Sequence, residues 1–310
     1  MEALRLPVAL FFKGEEPSRL FYPFLISALV LAYFVFKKSN HQGSFSGYVF
    51  NRKTWWGASA KVDYFFLFLN AFVKVFLIGP YLFSAGYLAI KISDFLQRFM
   101  GSFTLTDSKS FLLICYTASL LIVKDFFVFL IHYLMHHVPA LWKFHQVHHS
   151  ATRMNPLTQF RIHPVELALN NVFSLFAIAL VTGVFDYLSK DGIEIIMALG
   201  ANVFLVLFKL LGANLRHSHV KLKYPSFLET YFISPYQHQI HHSNNPKFFN
   251  KNLGSALAIW DYLFGSLSKS RDLKRVHFGL GAESAFKKNT FLEILFVPFL
   301  QFLKGFRRKR

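Results

Sequence analysis

Five long apolar runs constrain the fold of this chain more than any other feature. They are Leu20–Phe36, Tyr64–Ile90, Phe111–Ile131, Leu167–Phe185 and Ile195–Ala213, and each lies near or above the roughly 20 residues a helix needs to cross a bilayer core. Tyr64–Ile90 is too long for one plain span and carries Lys74 and Gly79-Pro80, so it reads either as a kinked helix or as a span with a re-entrant half. The connection Asp186–Glu194 is short enough to force the last two runs into an antiparallel hairpin. Phe291–Leu303 is too short to span and holds Pro298, which fits an interfacial helix. Only 16% of the residues are charged, against roughly 25% in an ordinary soluble domain. The expected fold is an all-α integral membrane protein, with four to five transmembrane helices supporting a cytoplasmic His-rich helical cap.

Charge sets the expected orientation. The chain has 34 Lys and Arg against 16 Asp and Glu, a net +18. Threading the runs through a bilayer places 24 of the basic residues on the face bearing 132–166 and 214–310, and 6 on the other. The excess of Lys and Arg on cytoplasmic loops then makes the first face cytoplasmic, in a bacterial inner membrane or the endoplasmic reticulum. No basic run is set in a soluble nucleic-acid fold, so an anionic membrane surface is the expected partner of these charges and nucleic acid is not. The single cysteine, Cys115, sits in an apolar run and rules out disulfides and thiolate metal sites within these residues. The N-terminus shows no short apolar core followed by a small-residue cleavage site, so no removable signal peptide is expected. The chain divides into an N-terminal transmembrane region (1–120), a His-rich domain (121–267) containing the transmembrane hairpin 167–213, and a basic tail with an interfacial helix (268–310).

The histidines are the chemical signal. Of 14, six fall in 132–149 and five in 217–242, and both clusters lie on the same face by this topology. His132 and His136 are four apart and share one side of a helix. His145, His148 and His149 read HQVHH, and His238, His241 and His242 read HQIHH, the same spacing repeated. Imidazole suits iron, zinc, copper and nickel rather than magnesium or calcium. Eight such residues exceed the four that one tetrahedral zinc takes, which points to two metals side by side. His41 and His277 read as surface residues, and His137 as a non-ligand, because neighbouring helical residues do not share a face.

The segments HYLMH (132–136), KFHQVHHS (143–150), RIHPVE (161–166), SPYQHQIHHS (234–243) and KNLGSALAIWDYLFGSL (251–267) resemble the fatty acid hydroxylase/sterol desaturase superfamily, in order and over about half of the chain. The resemblance implies an integral membrane oxygenase with a histidine-box di-iron site, acting on a long-chain lipid or sterol with O2 and two electrons. It implies ligation by His132, His136, His145, His148, His149, His238, His241 and His242, adds His217 in NLRHSH, and gives weaker positions to His163 and His219. His219 stands where the family commonly has Asn. Zinc is a plausible substitute for the two iron ions.

A ligating His usually donates its second ring N–H to a carboxylate or carbonyl. Asp125, seven residues before His132, together with Glu166 and Asp261, are the acids available for that role, or for plain ion pairs with Arg161, Lys124 or Arg153. The chain has no dinucleotide loop, haem motif, cysteine cluster or fused cytochrome b5 module. A separate electron donor, cytochrome b5 or a ferredoxin with its reductase, is therefore expected. The competing reading is a membrane zinc-binding or transport protein. Its weakness is the scarcity of polar groups within the spans, chiefly Asn70, Lys74 and Asn202.

Overall fold

The computed structural model describes residues 20–79, 83–189, 203–281, 284–287 and 290–307. Among these the secondary structure is helical, with two isolated antiparallel bridges, Phe232 to Leu257 and Ser243 to Phe278. The principal helices are α1 (Tyr22–Lys38), α2 (Ala58–Val73), α3 (Phe83–Met100), α4 (Lys109–His137), α5 (Pro139–His149), α6 (Pro164–Leu188), α7 (Val203–Leu210), α8 (Pro235–His241), α9 (Ile259–Leu263) and α10 (Phe291–Arg307).

Proline punctuates the His-bearing helices. Val138 sits in an extended conformation before Pro139, so α4 stops at His137 and α5 starts one residue later in a new direction. His163-Pro164 opens α6 in the same way. Ser234-Pro235 opens α8 with a reciprocal cap between Ser234 and Gln237. These breaks fold the 132–149 segment back on itself and bring the two histidine-rich sequences within reach.

Two described helices are long and apolar enough to cross a membrane, α4 with 29 residues and α6 with 25. Their outward faces carry Phe111, Ile114 and Ile122 on α4 and Val172 and Phe176 on α6, all exposed. Between them lies a small core of Leu112, Tyr116, Leu120, Val181 and Phe185. There the Tyr116 and Thr182 hydroxyls hydrogen bond at 2.9 Å. α3 crosses α6 closely at Gly183, where a Cβ would stand 2.5 Å from the Ala89 carbonyl oxygen and 2.7 Å from the Ile92 side chain. A helix of 29 residues is about 44 Å long at 1.5 Å per residue, longer than the roughly 30 Å hydrocarbon core. The last turns of α4, with His132 and His136, therefore extend past one boundary when the other end of the helix sits at the opposite one.

The remaining runs come out differently. Tyr64–Ile90 is divided: α2 ends at Val73, a π-helical turn covers Lys74–Ile78, and α3 begins at Phe83. The first run becomes α1, whose 17 residues pack Ala28 and Ala32 against Leu215 and Val220. Most of Asp186–Glu194 and the start of the fifth run lie outside the described residues. The rest of that run forms the eight-residue α7, ended by Gly212 at φ 105°. α10 contains Pro298, packs against α5, and joins Val62, Phe66, Val147 and Phe286 in a further core through Ile294.

Candidate metal centre

α4, α5 and α8, with the turn after α7, bring nine histidines into two adjacent groups. The first holds His132, His136, His145, His149 and His241. The second holds His148, His217, His238 and His242. Within each group the potential ligand atoms lie within 4.8 Å of one another. Each HxxHH triplet is divided: α5 gives His145 and His149 to the first group and His148 to the second, while α8 and its cap give His241 to the first and His238 and His242 to the second. The groups touch where the His149 and His242 rings stack with centroids 4.5 Å apart.

The hydrogen bonds set the direction of the lone pairs. Nδ1 of His132 donates to the Leu253 carbonyl at 2.7 Å, that of His148 to the Arg161 carbonyl at 3.1 Å, and that of His241 to the Lys251 carbonyl at 2.9 Å. A carbonyl only accepts, so these rings carry their proton on Nδ1 and present a bare Nε2. His145 Nδ1 meets Glu166 Oε1 at 2.9 Å, and His136 Nδ1 meets Asn250 Oδ1 at 3.2 Å. The inner nitrogens then face one another. His145 Nε2 is 3.1 Å from His132 Nε2 and 3.2 Å from His149 Nε2. In the second group His217 Nε2 is 3.1 Å from His148 Nε2 and 3.0 Å from His238 Nε2, which is 3.2 Å from His242 Nε2. Nε2 of His136 and of His241 is buried with no hydrogen-bond partner. Between His132 and His145, bare lone pairs 3.1 Å apart repel, and a shared cation is what relieves them. The donor set, all imidazole, fits a transition metal.

Burial favours the neutral form of His145, His148, His149, His241 and His242. It pushes His148 down to about 3, and burial followed by crowding among the imidazoles takes His145, His149, His241 and His242 well below the ordinary histidine range. His238 differs from the others, because its Nδ1 faces the buried Arg216 guanidinium at 2.9 Å, a donor where five other rings have acceptors. Burial and then Arg216 hold His238 well below its usual value.

The three candidate acids separate. Glu166 touches a histidine. Asp125 does not: two turns down α4 from His132, about 10 Å along the axis, it accepts from the backbone N–H groups of Ala256 and Leu257 and from Trp260 Nε1. Asp261 accepts from the N–H groups of Leu253 and Gly254 and from the Ser266 hydroxyl. Both therefore fix the 253–260 loop whose Leu253 carbonyl holds His132. Arg161 pairs with none of these acids. Its Nε donates to Asp63 Oδ1 at 2.7 Å, and both side chains are buried. Asp63 also accepts from Asn155 and Thr158, and Asn70 Nδ2 donates to the Phe160 and Ile162 carbonyls, so α2 clamps the loop behind His148. Asp63, Asn250 and Arg216 carried no sequence signal: their partners are 98, 114 and 22 residues away.

All nine histidines for which the resemblance implies strong ligation fall in one group or the other. His163 and His219 fall in neither. His163 caps α6 by accepting from the Val165 N–H, and its Nε2 donates to the Leu295 carbonyl of α10. His219 packs edge-on against Tyr48. His137 stacks on Tyr133 and also lies apart.

Comparison with known families matches residues 117–266 to the fatty acid hydroxylase family. Ornithine lipid hydroxylase OlsE of Rhizobium tropici is 30% identical over 146 residues, 47% of this chain and 40% of that protein. Alkylglycerol monooxygenase of Danio rerio is 28% identical over 170 residues, 54% of this chain and 34% of that protein. The very-long-chain aldehyde decarbonylase CER1 of Arabidopsis thaliana is 27% identical over 152 residues, 48% and 22% respectively. The chain thus matches 40% or less of the length of these curated relatives. No solved structure matches it.

Proposed function

We propose, on the premise that the chain belongs to the fatty acid hydroxylase family through residues 117–266, that it is a membrane oxidoreductase that oxidises a C–H bond of a long-chain lipid or sterol with O2 and two electrons. The observation that carries the reading is the convergence of nine imidazoles, seven of them buried and those of His132 and His136 half-buried, in two adjacent groups at the end of an apolar helix. Two redox-active ions held there, iron in preference to zinc, would supply the O2 chemistry that no protein side chain supplies.

The chain's own residues do the rest. The Leu253, Arg161 and Lys251 carbonyls, Glu166 and Asn250 fix ring orientation and keep Nε2 aimed inward. Asp125 and Asp261 hold the loop that carries Leu253. Trp142, whose ring lies 5.4 Å from that of His149 and 5.2 Å from that of His136, walls one side and limits water. Relatives named as a hydroxylase and a monooxygenase favour hydroxylation over desaturation.

On this reading the protein is multi-pass, with four to five spans, and the histidine groups face the cytoplasm. Residues 1–120 act as a transmembrane support for the 121–267 domain, and 268–310 as a basic tail. A separate donor, cytochrome b5 or a ferredoxin with its reductase, delivers the electrons.

Lipid extracts from cells expressing the native chain or His148→Ala, grown under heavy-isotope O2, test the proposal. The expected result is a lipid carrying one heavy oxygen atom in the native sample only. Lipid profiles that are the same for native and variant, in cells where the native protein is folded and metal-bound, would overturn it.

A further inference from the structure

The short helix α9 and part of the segment between α7 and α8 share an exposed apolar surface. Phe227, Tyr231 and Phe232 come from that segment, and Tyr262, Leu263 and Phe264 from α9 and its C-terminal cap. All six are exposed, Phe227 by 67% and Leu263 by 63%. Backbone contacts join the two pieces into one surface. The Tyr231 carbonyl accepts from the Ala258 N–H at 2.8 Å, the Ile233 N–H donates to the Ala256 carbonyl at 3.0 Å, and Phe232 and Leu257 form an antiparallel bridge. Single exposed apolar residues are ordinary, whereas a contiguous set marks a contact surface.

Continuity, composition and charge each point to a lipid bilayer as the contact. On α4, Ile122, Phe126, Phe129 and Tyr133 follow one another at four, three and four residues, a single stripe of the helix. Ile122 is exposed on that stripe. Further along it α9 takes over: Trp260 lies 5.0 Å from Phe126, and Phe264 lies 5.0 Å from Phe129 and 5.4 Å from Tyr133, between ring centroids. The surface therefore carries on the outward apolar side of a helix long enough to cross a membrane. It is also rich in Tyr and Phe, and amphipathic aromatic rings collect at head-group depth. Its ends carry cations. Lys269 Nζ donates to the Ser226 carbonyl at 2.8 Å and to Thr230 Oγ1 at 3.0 Å, and Lys251 Nζ donates to the Gly265 carbonyl at 2.9 Å. Lysines that border an apolar face in this way suit the phosphates of lipid head groups.

We infer that α9 and the 227–232 loop form a foot that inserts the histidine-bearing domain into the head-group layer of the bilayer, in addition to the spans. The inference rests on the membrane reading and deepens it, because these residues belong to the segment that the topology leaves on the cytoplasmic side. The foot is tied to the metal centre. Asp261 of α9 accepts from the Leu253 and Gly254 N–H groups, and the Leu253 carbonyl holds His132. Lipid contact at α9 thus sets the depth at which the first histidine group stands, next to the layer from which a lipid would enter.

Fluorophore quenching by brominated lipid tests the foot without turnover. The full chain carrying Cys115→Ser is labelled through Leu263→Cys, Tyr231→Cys, Ile114→Cys or Lys274→Cys, one at a time, all at exposed positions. Each is compared in nanodiscs of ordinary phosphatidylcholine and of phosphatidylcholine brominated near the head-group end of its acyl chains. The labels at Leu263→Cys and Tyr231→Cys are expected to lose at least about half as much fluorescence as the label at Ile114→Cys on α4, and the label at Lys274→Cys to lose none. With Ile114→Cys quenched, no quenching at Leu263→Cys or at Tyr231→Cys overturns the foot and leaves the membrane reading standing. Iodide in the buffer then shows whether water or a protein partner, such as a second copy of the chain, covers the surface. Equal quenching at Lys274→Cys also overturns it, because the domain would then have no distinct lipid-facing side. No quenching at any of the four positions contradicts the membrane reading and the foot together.

Discussion

Glu166 Oε1 lies 2.9 Å from His145 Nδ1, with both side chains almost wholly buried. It is the one carboxylate found on a ring of either histidine group among the described residues, and His145 is the ring whose Nε2 stands between those of His132 and His149. Partners of this kind hold metal ligands in orientation, and losing one typically costs 10–100-fold in metal affinity. Glu166→Ala is expected to weaken metal retention by a factor within about that range, while Glu166→Gln, which keeps an acceptor, loses less. Competition against a chelator reads both. Equal retention by native and Glu166→Ala would show that the contact does not position the ring.

The Asp63–Arg161 pair joins α2 to the loop behind His148. Breaking a buried pair by removing one partner typically costs about 3–5 kcal/mol, whereas replacing both with apolar residues is often neutral. Asp63→Leu should lower the unfolding temperature sharply and release metal from the second group, because Arg161 also supplies the carbonyl that holds His148. Asp63→Leu with Arg161→Met should recover much of the stability. A double variant as unstable as the single one would assign the loss to cavity or packing effects instead.

His163 gives stability a pH dependence. Burial pushes it down to about 4, and from α5 and α10 it meets Phe144 and Phe299. The folded ring accepts from Val165 at Nδ1 and donates at Nε2, so protonation costs the helix cap. The unfolded chain takes up the proton below about 6.5. Its contribution is thus complete above pH 6.5 and is lost on acidification toward pH 4. His163→Asn, which keeps a capping oxygen, should flatten the stability profile in that window relative to the native chain. Parallel profiles would contradict the assignment.

Gly254 sits where the 253–260 loop passes Asp261. A Cβ there would meet the Leu257 carbonyl oxygen at 2.5 Å and Asp261 Oδ2 at 2.7 Å. Gly254→Ala should therefore displace the loop, loosen the Leu253 carbonyl from His132 and lower metal occupancy in the first group. Unchanged occupancy would show that the loop has room to adjust.

Much of this architecture was legible in the sequence, because it depends on local spacing. The HxxxH and HxxHH patterns and the X-Pro helix starts are short-range signals, and they place the nine histidines on the right elements. Apolar length marks α4 and α6 in the same way. What spacing does not carry is the division of each triplet between two groups, which depends on how α5 and α8 face each other. Nor does it carry the choice among acids: Asp125 shares a helix side with His132 yet meets the 256–260 loop, because two turns of rise separate it from the ring. Asp63 reaches Arg161 only through packing of α2 on a distant loop.

Metal content per chain, measured on the detergent-purified native protein beside His241→Ala and His148→Ala, tests the central claim most directly, since the two variants remove one ligand from each group. The account predicts two transition-metal ions in the native chain and a fall to one or fewer in each variant. A folded, monodisperse native sample with no bound metal, or variants that hold as much metal as the native chain, would contradict it.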